Sequence, residues 1–320
     1  MKLKNFIVFS FLLLACDEKK LEVEKQHDYT APSQVVLPTP LPSIIENKPS
    51  AVQDPFEQTI GFYSTEYSYL GKNKGRSKNV ELASDKLNNT VIEPEGVLSF
   101  NEIVGVRSKK AGFVDAPIIY LGELAPGVGG GVCQVSSTLY AAALASGLKI
   151  LKRNPHSRPS TYIMAGLDAT VSYGECDKDC GNLDLVIVNP YPWPIKVKAE
   201  YTFNRKSKKK DLSIFILGLE DPGRRTEFST KFSWFGEFKH RIKKNLSIKK
   251  EDYLKKVQTG TRGRNVVLMV TTTFPDKSKE KEIIITRYQP VDEIWEVGQN
   301  WDPSGPSPWE PKDEALNFGL

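Results

Sequence analysis

A chain of 320 residues with 39% hydrophobic and 10% aromatic side chains can bury a real core, has room for about two domains, and is not wholly disordered. Its charge of +5 comes from 44 basic and 39 acidic residues, a small excess that does not point to a nucleic-acid partner. The three histidines (His27, His156, His240) and four cysteines (Cys16, Cys133, Cys176, Cys180) contain no C-x-x-C or H-x-x-x-H pair. Zinc ribbons and fingers are therefore excluded, and neither a metal nor another cofactor is expected.

Lys2 and Lys4 precede an apolar stretch, 6–15, that is too short to cross a bilayer and has the form of a secretory signal. It ends Leu13-Leu14-Ala15-Cys16, which resembles the lipobox of bacterial lipoproteins. That resemblance implies removal of residues 1–15 and acylation of Cys16, giving an envelope protein held to a membrane through lipid, on its extracytoplasmic face. Residues 16–57 are polar and studded with proline, and are expected to form a disordered tether.

Alternating apolar residues predict a strand over 59–68, and Val80, Ala83 and Leu87 predict a helix over 77–88 with Asn88-Asn89 as its stop. The informative segments come next. They are Phe100-Asn101 with Val104-Gly105, the run from Pro126 to Tyr140 containing Gly129-Gly130-Gly131-Val132-Cys133-Gln134, Pro155-His156-Ser157-Arg158-Pro159, and Asp168-Ala169-Thr170-Val171. Together they resemble the VanW-like family of bacterial envelope proteins, named after a gene of glycopeptide-resistance clusters, over roughly 58–200. Pro94-Glu95-Gly96 departs from the family's usual Pro-Gly-Glu, and is expected to change only a turn.

Read physically, the glycines allow an unusual path before Cys133, and a helix is expected over 134–145 with Gly147 as its cap. Cys133 then lies at a helix start, where the dipole favours a thiolate. His156 and Asp168 follow 23 and 12 residues on. This order resembles the thiol arrangement of transglutaminase-like and papain-like folds, with Cys133 as nucleophile, His156 as base and Asp168 as orienting carboxylate. Gly129, Gly130, Gly131, Gln134 and Arg158 are the candidate substrate-binding residues. The alternative is that Cys133 is a core thiol, His156 a satisfied loop residue and Asp168 a turn former. A phosphate-binding loop is excluded, because no G-x-x-x-x-G-K-[ST] occurs.

Cys176-Asp177-Lys178-Asp179-Cys180 is expected to close a disulfide in an oxidising compartment, with metal binding by the same loop as the other reading. Strands are predicted over 183–188, 195–203 and 212–217, ending a first domain at 58–222. Residues 226–298 read as a strand-rich module; Val257 to Gly263, the strands 265–274 and 282–288 and Val297-Gly298 resemble a G-five (G5) domain, which implies binding to N-acetylglucosamine-containing polymers. The basic runs 205–210 and 239–244 are either contacts for anionic polymers or solvated loops. Residues 299–320 are expected to be a flexible tail.

The fold class expected is α+β: a domain whose Cys133 helix packs on antiparallel strands, followed by a small all-β module. Two functions fit. One is a cysteine-dependent amide hydrolase or transpeptidase on peptidoglycan stems; the other is a non-catalytic factor that binds peptidoglycan or another wall polymer.

Overall fold

The computed structural model describes residues 54–120, 123–174, 182–250, 252–304 and 307–309. Cys16, Cys176 and Cys180 lie outside them, so the lipid anchor and the disulfide fall outside the described residues. Among the described residues no helix is long and apolar enough to cross a membrane.

The first half opens with strand β1 (Gln58–Tyr67), helix α1 (Lys74–Leu87), short strands β2 (Thr90–Ile92) and β3 (Val97–Ser99), and helix α2 (Phe100–Val104). A hairpin, β4 (Asp115–Tyr120) and β5 (Glu123–Val128), leads into helix α3 (Val132–Ser146) and strand β6 (Lys149–Lys152). Strands β7 (Val186–Val188), β8 (Ile195–Asn204) and β9 (Lys209–Gly218) complete it. Beyond, the elements among the described residues are all strands: β10 (Arg225–Phe235), β11 (His240–Asn245), β12 (Leu254–Gln258), β13 (Gly263–Thr273), β14 (Lys279–Tyr288) and β15 (Glu293–Gly298).

The strands form a four-stranded sheet β1-β9-β8-β2, three three-stranded sheets (β3-β7-β6, β10-β13-β14 and β11-β15-β12) and the β4-β5 hairpin. All pairings are antiparallel except β11 with β15, which run parallel. The fold is thus mostly antiparallel strands with few helices.

Helix α3 organises the core. Its sequence, VCQVSSTLYAAALAS, is apolar or small on every side, and every residue except Cys133 is buried. A helix of that kind is stable only when covered all round. Strands β1 and β9, helix α1 and strand β10 cover it, and Leu139, Tyr140, Ile214 and Ile216 meet in one core. That core also takes in Leu268 and Val270 of β13, so the second half packs directly on the first. Part of the expected flexible tail is placed as well: the Trp309 indole stacks on His240 with ring centroids 4.7 Å apart.

Candidate active site

Two glycines with positive φ, Gly129 (+85°) and Gly131 (+108°), turn the chain from β5 into α3, with Gly131 as the helix N-cap. L-residues with side chains rarely adopt such angles. Asn79 of α1 pins this turn, donating from Nδ2 to the Val114 and Gly130 carbonyls at 2.9 and 3.0 Å, while its Oδ1 accepts from the Val114 amide at 2.8 Å. Cys133 follows on the first turn of α3 and is half-buried and unpaired.

The serines after Cys133 fix the loop that carries Asp168. Ser136 Oγ donates to the Ala169 carbonyl at 2.7 Å, and Ser137 Oγ accepts from the Ala169 amide at 2.9 Å. The His156 loop is tied to the same segment, because the Thr170 amide donates to the Asn154 carbonyl at 2.7 Å. Three sequence segments far apart in the chain are thereby held edge to edge.

The result is a hydrogen-bonded series. His156 Nδ1 lies 2.9 Å from Asp168 Oδ2, which also accepts from the His156 amide at 2.6 Å. A carboxylate only accepts, so Nδ1 carries the hydrogen and Nε2 is left free for the Cys133 thiol, which lies near enough for thiol and imidazole to interact. Cys133 Sγ also reaches the Val171 carbonyl at 3.5 Å. Asp168 is wholly buried, and its other oxygen is fully engaged. Arg153 Nη2 donates to Oδ1 at 3.0 Å, and the Tyr288 hydroxyl of β14 donates to the same atom.

The electrostatics follow from this packing. Burial by itself raises the Cys133 thiol, but the His156 hydrogen bond and charge, with Arg107 behind them, hold it below the usual thiol value. Burial works to lower His156, yet its bonds to Asp168 and Cys133 push it up to about 9. Burial likewise opposes ionisation of Asp168, and His156 and Arg153 outweigh it to hold the carboxyl below its ordinary range. These directions agree in sign: each favours the charged form of its group, thiolate, imidazolium and carboxylate, over what burial alone would allow. Burial and the charge of Asp168 push the Tyr288 phenol up, so it stays protonated and able to donate.

Of the expected substrate-binding residues, Gln134 has a different place. It is wholly buried; Nε2 donates to Thr65 Oγ1 at 2.8 Å and to the Glu66 carbonyl at 3.1 Å, and Oε1 accepts from Arg76 Nη2 at 2.6 Å. With its amide so used, it braces an arginine instead of facing a ligand. Gly129, Gly130 and Gly131 act through the space they leave. A Cβ on Gly129 would meet the Arg107 stem at 2.9 Å, one on Gly130 the Pro117 carbonyl at 2.5 Å, and one on Gly131 the Arg76 stem at 2.9 Å. Arg158 is half-buried on the His156 loop and makes no hydrogen bond or ion pair among the described residues.

Sequence reasoning missed Arg76, Arg107, Arg153 and Tyr288. Arg153 had a local signal, lying three residues before His156; the others come from helix α1, a loop and strand β14. A separate groove, lined by Leu144, Arg224, Val270 and Glu282 among others, opens near the far end of α3 and does not include Cys133. Among the described residues, no three His, Cys, Asp or Glu side chains gather as metal ligands.

Residues 75–209 match the family described as VanW like protein. The uncharacterized protein YoaR of Bacillus subtilis (strain 168) is 42% identical over 143 residues, covering 45% of this chain and 44% of its own. The vancomycin B-type resistance protein VanW of Enterococcus faecalis (strain ATCC 700802 / V583) is 33% identical over 104 residues, covering 31% of this chain and 38% of its own. The chain therefore spans less than half the length of either curated relative. Among solved structures, the IgA1 protease G5 domain is 21% identical, covering 25% of this chain and 93% of its own with a TM-score of 0.16. The segment that matches the VanW-like family, 75–209, is the one that holds Cys133, His156 and Asp168.

Proposed function

We propose that this chain is a cell-envelope acyl-transfer enzyme that uses Cys133 to cleave or exchange an amide bond in the peptide stems of peptidoglycan. The observation that carries the reading is the convergence of the Cys133 thiol, on the first turn of α3, with the hydrogen-bonded His156 imidazole and Asp168 carboxylate. In the first step the Cys133 sulfur attacks the amide carbonyl, and His156 gives its proton to the departing amine. That leaves an acyl thioester on Cys133. Water, or the amine of a second stem, then attacks the thioester carbonyl; His156 takes the proton and the thiolate is released. Asp168 keeps the imidazole in the tautomer that both steps need. The lipobox-like Cys16 and the proline-rich tether would hold such a domain within reach of the wall.

The test is incubation of the full chain with soluble muropeptides, read by mass spectrometry. The expected result is a shortened stem or a new cross-link that Cys133→Ala abolishes and His156→Ala reduces by at least a hundredfold. Product formed equally well by Cys133→Ala would overturn the reading.

A second reading, polymer binding without chemistry, is favoured by a different observation. Strands β11 and β12 expose Arg241, Lys244, Lys255 and Lys256 at the rim of the β11-β15-β12 sheet. An anionic wall polymer would suit that rim. The same muropeptide experiment, with unchanged substrate and sedimentation of the protein with insoluble wall, selects this reading.

A further inference from the structure

The glycine turn that leads into Cys133 is flanked by two arginines, neither of which makes an ion pair among the described residues. Arg107 donates from Nη1 to the Gly105 carbonyl at 2.8 Å and from Nη2 to Asn101 Oδ1 at 2.8 Å. Arg76 donates from Nη2 to Gln134 Oε1, and its guanidinium lies 5.7 Å from the centre of the Tyr162 ring. All three acceptors are neutral, and neither arginine has an ion pair among the described residues. The nearby carboxylate of Asp184 accepts instead from Ser99 Oγ and the Asn101 and Leu185 amides. Both guanidinium groups are close enough to Cys133 to interact with it electrostatically. Their stems lie across the glycine run, Arg107 on Gly129 and Arg76 on Gly131, at distances no Cβ would allow.

A charge inventory of the site leaves a positive excess at the arginines: Asp168 is matched by Arg153 and His156, while Asp184 acts on Arg107 from a distance and is bonded to neutral donors instead. Two half-buried positive groups beside a nucleophile, braced by neutral acceptors in fixed positions, suit a planar anion that accepts hydrogen bonds from both. Burial already costs Arg107 enough to bring it down to about 10, a cost that an anionic ligand would relieve.

We infer that Arg76 and Arg107 form a carboxylate-binding subsite beside Cys133, so that the substrate is a peptide with a free carboxylate next to the bond under attack. This rests on the thiol-chemistry reading above and narrows it to bonds near a peptide's C-terminus or beside a side-chain carboxylate.

Two alkylating reagents of nearly equal size test it, iodoacetate with a carboxylate and iodoacetamide without one. In both, the Cys133 sulfur forms the S–C bond and iodide leaves. The rates at Cys133 are followed in the full chain by peptide mass spectrometry, and their ratio is compared with that for the same chain unfolded in urea. A subsite for carboxylate raises the iodoacetate-to-iodoacetamide ratio about tenfold or more in the native protein. Arg107→Gln and Arg76→Gln each lower that ratio toward the unfolded value. A general loss of thiolate slows both reagents alike and leaves the ratio unmoved. A native ratio equal to the unfolded one, with both reagents still reacting, overturns the subsite and leaves the thiol reading standing. Failure of both reagents until the chain unfolds overturns the thiol reading and the subsite with it.

Discussion

At the scale of single residues, the site is a contest between burial and pairing. Asp168, with no exposure, keeps its charge because His156, Arg153 and Tyr288 all donate to it. The sign of the resulting pH dependence can be worked out for His156. Its folded value, about 9, lies above the ordinary 6.5, so its contribution to stability is full below about pH 6.5 and is lost as pH rises through 9. Urea unfolding midpoints of the wild type should therefore fall between pH 6.5 and pH 9.5, and His156→Gln should flatten that fall. An equal fall in the variant would contradict a raised His156. Cys133, His156 and Asp168 were legible in the sequence because each sits in a short distinctive segment. Arg76 and Arg107 were not, since nothing local marks which of 44 basic residues points at a thiol.

At the scale of elements, α3 was readable because its ends are written in glycine: Gly131 as the N-cap and Gly147 as the C-cap, both with positive φ. The expected helix 134–145 falls inside the observed Val132–Ser146. The β4-β5 hairpin was not readable. Pro117 and Pro126 face each other across it, and prolines in a sequence window argue against a strand except at an edge, which is where a two-stranded hairpin places them. Strand β11 was hidden for another reason: His-Arg-Ile-Lys-Lys-Asn reads as a charge run, and its parallel partner β15 lies about fifty residues on. The turn before α3 supplies the prediction at this scale. Gly131→Ala forces a side chain to φ +108° and drives its Cβ to 2.9 Å from the Arg76 stem. It should cost about 1–3 kcal/mol in thermal unfolding and reduce the preference for iodoacetate, because Arg76 must move. A variant as stable as wild type with the same reagent preference would show that the turn tolerates a side chain.

For the whole molecule, the sequence suggested a boundary near 222 and a second, strand-rich module after it. The packing joins the two halves at the site itself. The Tyr288 hydroxyl donates to Asp168 and accepts from the Gly166 amide at 2.8 Å, while Thr286 Oγ1 accepts from Arg153 at 2.9 Å. The Gln289 amide donates to the Ser157 carbonyl at 3.2 Å, one residue from His156. Long-range contacts of this kind leave no periodic trace in a sequence, which is why strand patterning could suggest strands here but not where they dock. Cys133 reactivity should accordingly depend on β14, and Tyr288→Phe, which removes one donor from Asp168 at a cost of about 1–2 kcal/mol, should slow it. The most direct measurement of the central claim is alkylation of Cys133 in the native full chain by iodoacetamide at pH 6.5. The account predicts a rate above that of the same cysteine in the urea-unfolded chain, falling in His156→Ala; a Cys133 that reacts only once the chain unfolds would contradict it.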